Sequence, residues 1–193
     1  MAGRPKLAPN PPPMKFLKWS LIILGSLLIL AFATFELMKY QTKQASPEAE
    51  VAYTNGGLKI DIDYSRPHKK GRAIFGGLVP FDTTWRTGAN EPTTILTDKD
   101  LMIAGKTLPA GKYTLWVVPH RENWDVIFNT KMYGWGINMQ GKASRDTDAD
   151  AIITTVPVQV LPEELEQFTI SLEDPLPTLV LAWDRTKVEV PLR

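Results

Sequence analysis

Cysteine is absent from this 193-residue chain. The absence excludes disulfides, thiol catalysis, cysteine-ligated zinc or iron–sulfur centres, covalently attached c-type haem and a lipidated cysteine anchor. Histidine is scarce too, because His68 and His120 are the only two. Each stands in a polar stretch typical of a turn, and the two are far apart in the sequence. We therefore expect no bound metal and no cofactor.

The sequence motifs of common catalytic sites are also missing. G-x-S-x-G, S-x-x-K and H-E-x-x-H do not occur. Residues 105–107 read Gly-Lys-Thr, but Asp100 stands where a phosphate-binding loop needs its first glycine, so a hairpin turn is favoured. Residues 146–150 resemble the start of a calcium loop. Ala151 and Pro157 replace the glycine and glutamate that such a loop requires, which favours a solvated acidic loop.

A charge excess that would favour nucleic acid is missing as well, with 22 basic against 21 acidic residues. The distribution is uneven, however. Four basic residues and no acidic residue precede position 19, whereas 18 basic and 20 acidic residues follow from Lys39 onward. A cationic head therefore precedes a mildly acidic body, and we expect no nucleic-acid partner.

The longest apolar run is "WSLIILGSLLILAFATFELM", the 20 residues 19–38. As a helix it spans about 30 Å, the thickness of a bilayer core. We predict a transmembrane anchor with the basic head in the cytoplasm. Its predicted lipid-facing or helix-packing residues are Trp19, Leu24, Gly25, Leu28, Phe32 and Phe35. A cleaved signal peptide is the alternative, with residues 20–30 as its apolar region and "AFA" (31–33) as its cleavage site.

The predicted organisation follows from this run. Residues 1–18 form a basic, proline-rich cytoplasmic tail, and residues 19–38 form the anchor or signal peptide. Residues 39–52 are polar and lack an apolar stripe, which predicts a linker. Residues 53–193 form the exported domain.

The body reads as an all-β domain. Short alternating or β-branched runs, separated by turn signals, recur along it, which favours a sandwich or a barrel. In "LKIDIDY" (58–64) apolar and polar residues alternate, so one face is buried and the other solvated. Residues 162–167, "PEELEQ", fit two alternatives, a single helical turn or a polar bulge. We predict an antiparallel β-sandwich, jelly-roll-like.

One block resembles a known family. Residues 64–95, "YSRPHKKGRAIFGGLVPFDTTWRTGANEPTTI", closely resemble the signature of the bacterial DUF2911 family, and the resemblance extends over most of residues 53–193. It departs at His68, where family members often carry a small residue. The resemblance implies an exported protein and no particular reaction. Together with the apolar run it predicts a single-pass protein of the bacterial inner membrane, with the C-terminal domain in the periplasm.

The candidate site lies in this block, at "TTWRTGANEPTTI" (83–95). Arg86, Asn90 and Glu91 supply a cation, an amide and a carboxylate within six residues, and Trp85 offers a stacking face. In the alternative, Arg86 pairs with Glu91, Asn90 closes the turn and Gly88 takes a positive φ. The full predicted ligand-binding set is Arg66, Arg72, Trp85, Arg86, Asn90, Glu91 and Trp135.

Three functional hypotheses follow. The leading one is a membrane-anchored, periplasmic, non-catalytic binding or accessory module; besides the lipid bilayer, its partner is a membrane or periplasmic protein or an envelope glycan. The second is an envelope hydrolase or lyase that uses Glu91 as acid/base and Arg86 or Arg66 as charge stabiliser. The third is a structural tether in which the anchor helix does the docking.

Overall fold

The computed structural model describes residues 14–193, so most of the predicted tail 1–18 lies outside the described residues. The chain divides at Gln41/Thr42 into two compact units. The first described element is helix α1, Met14–Ala45. Leucine, a good helix former, is its most frequent residue and proline is absent, as a long helix requires.

Helix α1 is long and apolar enough to cross a bilayer, with a mean hydropathy of 2.3 and none of its most apolar window buried inside the chain. The side chains of Trp19, Leu24, Leu28, Phe32 and Phe35 are exposed along it. A membrane span and a signal sequence both have these properties.

The predicted linker at residues 39–52 differs from what the structure has there. Helix α1 continues to Ala45, and strand β1 begins at Glu48. Polar residues do not end a helix, because its hydrogen bonds are internal to the backbone. The sequence did not predict strand β1, because Tyr53 is the only buried side chain in it.

Ten β-strands follow helix α1, and all their named pairings are antiparallel, as predicted. Six form one sheet in the order β1-β2-β3-β6-β7-β8, and the pairs β4-β5 and β9-β10 form two hairpins. The strands are β1 Glu48–Asn55, β2 Leu58–Ser65, β3 Thr94–Thr97, β4 Leu101–Ile103, β5 Lys106–Leu108, β6 Gly111–Pro119, β7 Asn123–Asn129, β8 Asp150–Pro157, β9 Gln159–Glu173 and β10 Thr178–Pro191.

The long hairpin β9–β10 supplies the second layer of the sandwich-like domain. Its inward side chains join one apolar core with those of the large sheet, where Ile60 and Ile62 are fully buried as their alternation predicts. Residues 162–167 continue strand β9 rather than forming a helical turn. The jelly-roll order of strands stays a prediction. The hairpin's main contributions are Phe168, Ile170, Leu179, Leu181 and Trp183.

Two long connections lie outside the sheets. Residues 66–93 join β2 to β3 and contain most of the signature block, and residues 130–149 join β7 to β8. The two connections meet: Gly136 donates its backbone N–H to the carbonyl of Asn90 at 3.0 Å, and Arg145 donates to the Thr84 hydroxyl at 3.1 Å. The candidate site is built at this meeting point.

Candidate functional site

Trp85 anchors the first connection in the core. Its backbone exchanges two hydrogen bonds with Val117, of 2.7 and 3.0 Å, and its indole N–H donates to the carbonyl of Gly88 at 3.0 Å. The ring stacks on Trp183, with centroids 6.0 Å apart and planes 21° apart. Trp85 is only 9% exposed, so it lines the site with a small part of its surface and is not a free stacking face for a ligand.

The backbone of the corner after Trp85 is unusual. Thr87 and Asn90 have positive φ angles of 53° and 59°, and Gly88 has the positive φ that was predicted, 136°. A Cβ on Gly88 would lie 2.8 Å from the carbonyl oxygen of Ser65, so only glycine fits there. Such backbone strain is maintained where the surroundings hold it in place, often at functional sites.

Asn90 is buried, with 1% of its surface exposed. Its amide nitrogen donates to the Ser65 hydroxyl at 3.3 Å and toward the carbonyl of Ser46 at 3.5 Å. Its side-chain oxygen is buried and has no hydrogen-bond partner. Asn90 therefore closes the corner with one end of its amide and leaves the other end unused.

Arg86 has no partner for its charge in residues 14–193. Its Nε is buried without a hydrogen bond, and neither Glu91 nor any other described carboxylate pairs with it. Its aliphatic stem packs against Gly136, where an added Cβ would lie 2.0 Å from Arg86 Cδ. Burial lowers the pKa of Arg86 below its ordinary value. The predicted Arg86–Glu91 pair does not form.

Glu91 belongs to a different depression. Its carboxylate lies 3.3 Å from the ammonium of Lys43, which also binds Glu48 at 2.6 Å. These groups line an open groove of about 530 Å³ that also contains Asp63 and Lys112. Glu91 is thus an ion-paired residue of that groove.

Arg86 and Asn90 line a second concavity, which we call the Arg86 cleft. Its main part has a volume of about 360 Å³. An adjoining part of about 540 Å³ shares Leu78, Val79, Trp85 and Arg86 with it. The main part is lined by Thr42, Ala45, Ser46, Pro67, Lys70, Arg72, Leu78, Val79, Trp85, Arg86, Gly88, Ala89, Asn90 and Trp183.

Of the other predicted site residues, the structure places one in the Arg86 cleft and two outside it. Arg72 lines the Arg86 cleft. Arg66 does not: it donates to the Phe168 carbonyl and the Thr169 hydroxyl, at 3.2 and 3.0 Å, and so ties the end of β2 to β9. Trp135 is half-buried in the second connection and is not among the lining residues of the cleft.

Several cleft residues were not predicted from the sequence. Leu78 stands inside the signature block, where nothing in the local sequence indicated that it lines the cleft. Ser46 and Trp183 come from distant parts of the chain. Gly136 had a signal in the Gly-Trp-Gly stretch, since such glycines often mark a close approach of another group.

The candidate metal ligands do not come together. His68 pairs across to Gln167 on β9, whereas His120 lies between the carboxylates of Asp82 and Asp125. Within the described residues 14–193, no group of three histidine or carboxylate side chains is arranged to hold a metal ion. In the 146–150 loop, Asp146 binds Lys131, and Asp150 binds the guanidinium of Arg145 at 2.8 Å.

Comparison with curated proteins and with solved structures gave no significant match. Comparison with family patterns gave one, the DUF2911 family, described as "Protein of unknown function", over residues 46–192. The match covers the sheets, both long connections and nearly all of the cleft. This chain belongs to the DUF2911 family.

Proposed function

We propose that this chain is a membrane-anchored binding module of the bacterial cell envelope, with its body in the periplasm and its ligand site in the Arg86 cleft. Helix α1 supports the anchoring by its length and apolar surface. The basic residues before it support a cytoplasmic N-terminus.

One observation carries the binding role. Arg86 Nε and Asn90 Oδ1 are buried without a partner, and both residues line the same cleft. A buried polar atom without a hydrogen bond costs about 1–3 kcal/mol. Folded proteins keep few such atoms, so two of them at one concave site indicate a group that binds there.

The positions of Arg86 and Glu91 favour binding over the hydrolase or lyase hypothesis. A shared acid/base mechanism needs both groups around one substrate. Arg86 lines the cleft, whereas Glu91 lines the groove and pairs with Lys43. The accessory-subunit and tether hypotheses rest on helix α1 alone.

The binding role can be tested with the full chain in nonionic detergent micelles. Ligand-observed NMR against a fragment panel of neutral, cationic and anionic compounds would detect binding of any charge class. Leu78→Trp would fill the cleft at a residue that is 47% exposed, and Leu96→Trp, at a residue 43% exposed on the sheet, is the matched control. Binding should be lost in L78W and kept in L96W; a chain that binds no fragment, or binds equally in both variants, contradicts the proposal.

A further inference from the structure

Only positive charge lines the Arg86 cleft. Lys70, Arg72 and Arg86 line its main part and Lys142 its adjoining part, and among the described residues 14–193 no aspartate or glutamate lines either. The chain from Lys39 onward carries more acidic than basic residues. Four cations around one concavity of an acidic body produce a local field that attracts anions.

These cations are not neutralised by ion pairs within the described chain. Arg72 donates to the carbonyls of His68 and Lys69, at 2.6 and 3.0 Å, and carbonyls carry no net charge. The backbone N–H of Lys70 donates to the carboxylate of Glu166 at 2.9 Å, whereas the Lys70 ammonium does not contact that carboxylate. By contrast, Lys69 on the same loop pairs with both Asp184 and Glu164.

Arg86 has the strongest need for a counter-ion. Its guanidinium is partly desolvated, and that desolvation is the cause of its lowered pKa. Removing a cation from water is unfavourable unless an anion or several acceptors replace the water. A guanidinium presents parallel N–H donors that match the two oxygens of a carboxylate or phosphate.

Asn90 adds a second requirement. Its amide nitrogen is directed toward the Ser46 carbonyl, which accepts hydrogen bonds and cannot donate them, and this fixes the orientation of the amide. The unpartnered atom is therefore the oxygen, an acceptor. A group that satisfies it must bring a hydroxyl or an N–H.

Apolar side chains make up much of the remaining lining of the cleft. The larger ones are Trp85, Trp183, Leu78, Val79 and Pro67. A volume of about 360 Å³ falls in the range of small-molecule sites. The space accommodates a small molecule with a short carbon frame.

We infer that the Arg86 cleft binds a small oxyanion, a carboxylate or a phosphate monoester, that also carries a hydroxyl or N–H donor. The inference rests on the proposed binding role of the cleft. The oxyanion contacts the Arg86 guanidinium, with Lys70 and Arg72 contributing charge, and the donor of the ligand meets Asn90 Oδ1.

Five probes of related size test this chemistry on the full chain in nonionic micelles. Gluconate combines a carboxylate with hydroxyls, and hexanoate has the carboxylate alone. Glucose is neutral, glucosamine is cationic, and glucose 6-phosphate replaces the carboxylate with a phosphate. NMR titration should rank gluconate or glucose 6-phosphate first, hexanoate weaker, and glucose and glucosamine at least about tenfold weaker than the best oxyanion.

Variants assign the binding to named groups. Arg86→Met keeps the stem that packs on Gly136 and removes the charge, and should weaken the best oxyanion at least about tenfold. Arg185→Met removes one charge from an exposed residue outside the cleft and should leave binding unchanged. Because Arg86→Met perturbs a partly buried position, the exposed pair Lys70→Gln and Arg72→Gln provides a second test, with a smaller loss that added salt reproduces in the wild type.

The outcomes separate the two proposals. If glucose or glucosamine binds as tightly as gluconate and glucose 6-phosphate, the oxyanion inference is overturned while the binding role stands. Equal oxyanion affinity in wild type and both sets of cleft variants also overturns it. If no probe and no fragment binds, the binding role itself falls.

Discussion

Arg86 and Glu91 belong to the same corner of the chain, yet their side chains line different depressions of the surface. Arg86 meets no carboxylate in the described part of the chain, and Glu91 is 3.3 Å from the ammonium of Lys43. Opposite charges close in sequence usually suggest a local ion pair. Here the positive φ angles of Thr87, Gly88 and Asn90 turn the backbone between them, and the two charges are separated.

Gly136→Ala should destabilise the protein and disturb the cleft. The new methyl group would lie 2.0 Å from Arg86 Cδ, so either the arginine stem or the backbone of the second connection must move. We expect a loss of about 1–3 kcal/mol in the free energy of unfolding, measured by denaturant titration. Gly134→Ala is the matched control, because its Cβ would meet nothing within 4 Å. Equal stability of the two variants would show that Arg86 does not pack there.

Arg145→Met should destabilise the second connection strongly. Arg145 binds Asp150 with two hydrogen bonds, of 3.1 and 2.8 Å, and the side chains are only 12% and 9% exposed. Removing one partner of a buried pair costs about 3–5 kcal/mol, because the other charge remains buried.

Limited proteolysis within residues 130–149, together with denaturant titration, measures the effect of Arg145→Met. The exposed pair Lys131–Asp146 is the control, and Lys131→Met should cost no more than about 1 kcal/mol. The double variant Arg145→Met/Asp150→Asn should recover part of the stability. Comparable losses for Arg145→Met and Lys131→Met would contradict the assignment of a buried structural pair.

His120 should make stability depend on pH. Its Nδ1 lies 2.5 Å from Asp82 and its Nε2 3.4 Å from Asp125, and these hydrogen bonds raise the pKa of His120 above its ordinary value of 6.5. A raised folded-state pKa stabilises the fold fully below the unfolded pKa, and the contribution is lost as pH rises through the folded pKa. The Tm difference between wild type and His120→Gln should therefore shrink from about pH 5.5 to about pH 8.5. A difference that grows with pH would refute the charged-imidazolium assignment.

Helix α1 should remain attached to the body in cells. An uncleaved anchor keeps the full mass of 21.6 kDa and stays in the membrane pellet after alkaline extraction. A mass that corresponds to cleavage after Ala33 would instead establish a signal peptide. Replacing Ala31 and Ala33 with leucine is the control: if no cleavage occurs, the variant should differ from the wild type only by the mass of the larger side chains.

The sequence predicted those parts of the fold that local patterns determine. Alternation of period two identified β2 and its buried face, since Ile60 and Ile62 must both lie on one side. It failed for β1, an edge strand with one buried side chain, and it left residues 162–167 open between a helical turn and a polar bulge; they continue β9, with the shifts of register against β10 that a bulge produces. In both cases the strand conformation depends on pairing with the neighbouring strand, which the local sequence does not show.

The site divides in the same way. Arg86 and Asn90 were identifiable from their chemistry and from the turn residues around them. The cleft itself was not, because Ser46 and Trp183 reach it from two separate and distant parts of the chain. Trp85 belongs to the core because it stacks on Trp183, and Arg66 ties β2 to β9 through the Phe168 carbonyl. Both contacts join residues that are far apart in the sequence.

The end of helix α1 has a practical consequence for producing a soluble fragment. The family match begins at residue 46, which invites truncation there. Thr42 and Ala45 line the Arg86 cleft, and Lys43 holds Glu91. A fragment cut at residue 46 would thus lose two residues that line the cleft and leave Glu91 without its partner, whereas a start at or before Thr42 retains the whole lining of the cleft.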